Sequence, residues 1–140
     1  MMFPQIRCNH AEANEQPFMF FILSKGENSG KPGLKPWVNS FAVLCSNKEC
    51  FEFYFWLTYG LYKADKFKPR LRGSVIPFVN LNDVKDVLKE TAPSILENWL
   101  QFQKIISALD LLEKSKTSLG QQLVTTENLQ RYLIRKVFNQ

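Results

Sequence analysis

Ser46-Asn47-Lys48-Glu49-Cys50-Phe51-Glu52-Phe53-Tyr54-Phe55-Trp56-Leu57-Thr58-Tyr59-Gly60-Leu61-Tyr62 is the stretch whose reading decides the fold. Phe51, Phe53, Phe55, Leu57 and Tyr59 alternate as they would in a strand. Against that, Ser46 and Glu49 stand as a capping box, the hydroxyl accepting from the Glu49 N–H while the carboxylate reaches back to Ser46. The run is too long for one typical strand, contains no turn pair, and closes on Gly60 near its last turn with Lys63 just beyond. The spacing predicts a helix over 47–62. Seven of the nineteen aromatic residues fall on it, spread round the circumference, so it requires burial on most sides.

Working back towards the N-terminus, Trp37 to Leu44 alternates between two faces, and Phe18 to Leu23 is a short aromatic and β-branched run ended by Ser24-Lys25-Gly26. Both read as strands. Between them Gly26, Gly30, Pro32, Gly33 and Pro36 are too many breakers for a regular element. Residues 1–16 are polar and aperiodic and read as a loosely ordered arm. Towards the C-terminus, Lys63 to Arg72 is a polar connection, and Gly73 to Val79 reads as a third, edge strand because Pro77 cannot donate to a ladder. Asn80 or Asn82 caps a helix carrying Leu81, Val84, Val87 and Leu88, which Pro93 ends. Ser94 to Glu97 is a second capping box opening a helix over 94–112, and Thr126 starts a last helix after a polar loop around Gly120. The expectation is an α+β fold with about three strands in the first half and about four helices, residues 17–140 forming one domain.

A chain of 140 residues, 45% hydrophobic and 14% aromatic, has ample material for a core. The composition excludes a disordered chain, a collagenous repeat and a coiled-coil rod. No apolar run approaches the length needed to cross a bilayer, so no membrane insertion is expected. Eighteen basic against thirteen acidic residues leave +5, a mild bias towards acidic partners. Three cysteines, and an N-terminus without an export pattern, point to the cytoplasm.

The residues of chemical interest are few. Gly26 to Lys31 resembles a phosphate-binding loop but has three residues between its glycines and Pro32 after the lysine, so it lacks the magnesium-holding hydroxyl. Cys8, His10, Cys45 and Cys50 are of metal-ligand type at poor spacing, and the ordinary account makes Cys45 and Cys50 small hydrophobes; no metal and no cofactor is expected. The thirteen carboxylates form no local pair among the expected strand ends and there is one histidine, which favours a non-enzyme. The leading candidate is the basic loop, where Lys66, Lys68, Arg70 and Arg72 would neutralise phosphates of DNA or RNA and Phe67 would stack on a base, with Lys31, Lys35 and Trp37 in support. The ordinary account is that Phe67 and Leu71 anchor the loop while its cations keep it soluble. The alternative is association with a protein partner or a second copy: Ile95, Trp99, Phe102, Ile106 and Leu109 make a two-heptad seam on the 94–112 helix, with Trp99 and Phe102 as anchors. That face can equally cover the sheet. A third possibility is a small-molecule binder or enzyme walled by the aromatic cluster at 53–62.

The strings Glu27 to Pro32, Lys35 to Phe41, Phe53 to Leu57 and Leu71 to Phe78 resemble a family of uncharacterised small bacterial proteins from gut anaerobes, often found near mobile genetic elements. The resemblance covers about residues 17–90. It implies a bacterial cytoplasmic protein with DNA or a DNA-handling protein as a partner, and it carries no catalytic residue.

Overall fold

The decisive stretch is helical. In the computed structural model, which describes residues 1–9 and 16–139, helix α1 spans Lys48–Lys63. Its N-cap is Asn47 rather than Ser46: the Asn47 Oδ1 accepts from the Cys50 N–H at 2.8 Å, which satisfies one of the donors a helix start leaves open. One face of α1 is buried through Cys50, Phe53, Tyr54, Leu57, Thr58 and Leu61. Phe51, Phe55, Trp56 and Tyr59 are half-buried and form a ladder of ring contacts along the neighbouring face, Phe51 and Phe55 stacked at 5.8 Å and Trp56 and Tyr59 edge-to-face at 5.4 Å.

Four strands make one antiparallel sheet: β1 Gln5–Cys8, β2 Met19–Leu23, β3 Pro32–Gly33 and β4 Ser40–Leu44, in the order β1-β4-β2-β3. In β4, Val43 lies between Ile6 of β1 and Phe20 of β2, and all three are buried. Phe20, fully buried, meets Phe51 and Phe55 of α1 edge-to-face at 5.8 and 5.5 Å. That contact locks helix to sheet through ring geometry as well as buried area.

Helix α2 spans Leu81–Glu97 and buries Val84, Val87, Leu88 and Ala92, against β1 and α1. Helix α3 spans Trp99–Phe138. Among the described residues the fold is thus α+β with four strands and three α-helices, against the about three strands and about four helices expected. Residues 5–8, read as part of a loose arm, are a strand; residues 10–15 of that arm lie outside the described residues. The second strand begins at Ser40 because the Ser40 hydroxyl donates to the Trp37 carbonyl at 2.7 Å and turns the chain there. The stretch 73–79 is no strand. Gly73 takes a positive φ of 96°, and only isolated bridges of Phe78 to Arg72 and Lys25 hold the segment.

Pro93 and Gly120, read as breakers, are both inside helices. The 115–125 stretch stays helical because its hydroxyls are satisfied internally: Thr117 donates to Glu113 O, Thr125 to Gln121 O and Thr126 to Gln122 O, each bond running back along the helix instead of competing with it. Ser94 to Glu97 likewise lies within α2, and the Ser94 hydroxyl donates to Thr91 O. The one interruption between α2 and α3 is Asn98. The chain divides at that point into two compact units, residues 1–97 and 98–140.

Candidate functional site

The basic loop begins where α1 ends. Ala64 is the C-cap; Asp65 follows at a positive φ of 58°, with its N–H on Tyr62 O and the Lys66 N–H on Leu61 O at 2.9 Å. This pair of bonds is the Schellman pattern, with an aspartate where glycine is usual. A 3₁₀ turn over Lys68–Arg70 comes next.

The side chains of this loop are mostly spoken for. Phe67, expected to stack on a base, is only 2% exposed and packs against Gly30, so it anchors the loop from beneath. Lys68 pairs with Asp65 at 3.1 Å. Arg70 and Arg72 approach the two oxygens of Asp83 at 3.4 and 3.3 Å, and Arg70 also approaches Glu90 at 3.7 Å. Asp83 is a buried residue of α2, so the two guanidiniums tie the loop to that helix and neutralise a carboxylate removed from water. Lys31, Lys35 and Lys66 are exposed. Trp37 is half-buried, its ring so close to Gly33 that a Cβ there would sit 2.5 Å from it.

Beside the loop lies a cleft of about 550 Å³ lined by Glu27, Asn28, Tyr62, Lys63, Asp65, Lys68, Leu71 and Pro77. The Tyr62 hydroxyl and the Asn28 Oδ1 are bonded across it at 2.9 Å. Of the 53–62 aromatics, Tyr62 alone lines this cleft, and its two carboxylates and two ammoniums offer no net charge to a ligand. The segment that resembled a phosphate-binding loop is a closed turn: the Gly30 N–H bonds Leu23 O at 2.7 Å, and the buried Ser29 hydroxyl donates to Gly26 O at 2.6 Å.

All three cysteines are free thiols, Cys8 exposed, Cys45 half-buried and Cys50 buried. Burial, and then the neighbouring Cys50, push the Cys45 thiol far above its ordinary range, so it holds its proton at neutral pH and is a poor nucleophile. The Cys50 thiol faces Met2 O at 3.6 Å. Among the described residues no group of three or more His, Cys, Asp or Glu side chains is placed to hold a metal; His10 lies outside them.

In the second unit, Trp99 and Phe102 contact each other with ring centroids 6.1 Å apart, on the half-buried face that also carries Ile106 and Leu109. The seam expected over 94–112 is therefore split, Ile95 belonging to α2 and the rest to α3. What sequence reasoning missed is that α3 runs unbroken through 113–125 and joins the helix expected from Thr126. No residue of this forty-residue helix is buried, and Leu112, Leu119, Leu123, Leu133 and Val137 are all more than half exposed. Their spacing of seven, four, ten and four residues, close to whole helical turns, was the available signal, hidden by the polar run at 113–118. No helix among the described residues is long and apolar enough to cross a membrane.

No curated protein matches the chain. A family model does match, over residues 6–136 and so from the first strand almost to the end of α3. By that coverage the chain belongs to a family of unknown function, DUF6943.

Proposed function

We propose that this protein is a non-catalytic binding module that works through protein–protein contact along α3. The observation that carries the reading is a helix of forty residues with none buried and with large apolar side chains along its length. Exposed apolar surface on that scale marks an interaction site in a stable protein. An amphipathic helix gains most of its stability from packing its apolar face. The family match runs through α3 as far as Lys136, which supports counting the helix as part of the working protein. Free thiols at all three cysteines support a reducing, cytoplasmic setting.

The test is capture from the cells that make the protein, comparing the tagged chain with its Leu112→Asp, Leu123→Asp double variant. The expected result is at least one protein species, a second copy or another chain, retained by the first and lost by the second. Equal retention by both overturns the reading.

Nucleic-acid binding is the second reading, supported by the exposed Lys31, Lys35 and Lys66 and by the half-buried Trp37. Three such lysines contacting phosphate give a slope of log affinity against log salt of about −2 to −3. Their joint replacement by Ala is expected to abolish it in a fluorescence-anisotropy series on labelled DNA and RNA. Binding that keeps its slope in the triple variant removes these residues from the site.

A further inference from the structure

We infer that the partner of α3 is a second copy of the same helix, wound against it in parallel and in register as a two-stranded coiled coil; the inference rests on the interaction reading above. Starting at Phe102 and stepping alternately by three and four, the sequence gives one continuous heptad seam to Val137. Its a positions hold Phe102, Leu109, Leu123 and Val137, and its d positions hold Ile105, Leu112, Leu119 and Leu133. Three polar residues interrupt it, Lys116 and Gln130 at a and Thr126 at d. The seam runs the length of a helix about 60 Å long at 1.5 Å per residue, and a period of 3.5 residues is the one that sustains a left-handed pair.

Area favours a full-length partner. Two such seams bring sixteen apolar side chains together and bury on the order of 1,300–1,600 Å², within the roughly 1,200–2,000 Å² of a stable interface. The polar positions bear on how that partner runs. In a parallel pair every layer meets itself, so Gln130 faces Gln130 and can share amide hydrogen bonds, Thr126 faces Thr126, and the eight apolar layers stay wholly apolar. Running the second helix the other way, centred so that Lys116 meets Leu119, also sets Thr126 against Leu109 and Gln130 against Ile105. All three polar side chains would then lie against hydrocarbon without a partner, which costs free energy. Lys116 facing its own copy is unfavourable and specifies register at the expense of stability, the known use of a polar a position. The association therefore strengthens as salt rises and screens that pair, opposite to the behaviour of a phosphate-binding surface.

The experiment is sedimentation equilibrium of the purified full chain from low to high micromolar concentration at two salt levels, together with Val137→Cys in a glutathione redox buffer. The expected result is a two-chain species that tightens with salt, a disulfide joining position 137 of one copy to position 137 of the other, and at least about 100-fold weaker association in the Leu112→Asp, Leu123→Asp variant. A chain that is monomeric throughout overturns the second copy, while capture from cells still decides whether α3 binds a different protein. A dimer that forms no 137–137 link, or a species of three or more chains, overturns the parallel pair. A dimer untouched by the double variant overturns both this inference and the α3 reading.

Discussion

Gly30 shows how closely one residue can be specified. It adopts a φ of +97°, and a side chain there would run into the ring of Phe67, which is itself fully buried. Gly30→Ala is expected to destabilise the first unit by roughly 2–4 kcal/mol, combining a left-handed backbone penalty with overpacking, read by urea denaturation of the full chain. Asp83 is specified by charge. Its replacement in Asp83→Asn leaves two guanidiniums facing a neutral amide; because the Arg70 and Arg72 side chains are 35% and 59% exposed, solvent offsets much of the loss, and the expected cost is roughly 1–2 kcal/mol. Tyr54 titrates late. Burial first, then the Cys50 and Cys45 thiols, hold its phenol up to about 12, against an ordinary 10. The folded state therefore keeps a proton that the unfolded state releases, so Tyr54's stabilising contribution is complete below about pH 10 and is lost as pH rises towards about 12. Ultraviolet titration of the phenolates, compared with Tyr54→Phe, checks this: the variant should lack a transition near pH 12 that the parent shows.

At the scale of elements, local signals were legible and long-range ones were not. The helix over 47–62 was readable from its length and from a start signal one residue from the true cap, and the structure moves its bounds by a single residue, with Gly60 inside the helix and Asp65 closing it. The strands at 19–23 and 40–44 were readable from apolar runs between breakers. Strand β1 was not: of Gln5, Ile6, Arg7 and Cys8 only Ile6 is buried, and the feature that makes the segment a strand is its pairing with β4, which no local pattern records. In the candidate loop the cations were legible, as was the account in which Phe67 anchors the loop, but the engagement of the arginines was not, since Asp83 lies eleven residues beyond Arg72 in sequence. Proline and glycine misled in α2 and α3 because each is a bias and not a prohibition. Gly120 has nothing within 4 Å of the place a Cβ would occupy, so Gly120→Ala should stabilise α3 by about 0.8–1 kcal/mol, seen as a higher melting temperature of the helical circular dichroism signal.

For the whole molecule, the α+β class was legible in the sequence, while the extent of α3 became visible only once the polar stretch at 113–118 was seen to be helical. Thiol chemistry offers a check on the molecule as a unit. In the native protein Cys8 should react readily with a thiol reagent, whereas the half-buried Cys45, kept protonated, and the buried Cys50 should react only as the first unit opens. Mass spectrometry of the labelled peptides against denaturant concentration reads this directly, and early labelling of Cys50 would contradict the burial described. The sheet order adds a matter of timing. Of the four strands described, β1 is made first, yet its partner is β4, whose last residue is Leu44. At about 5–20 residues per second on the ribosome, roughly 2–7 seconds separate the synthesis of Cys8 from that of Leu44. Throughout that interval Ile6 has no sheet to enter, so a nascent chain stalled before Ser40 should present its leading segment to chaperones, and one released past Leu44 should not.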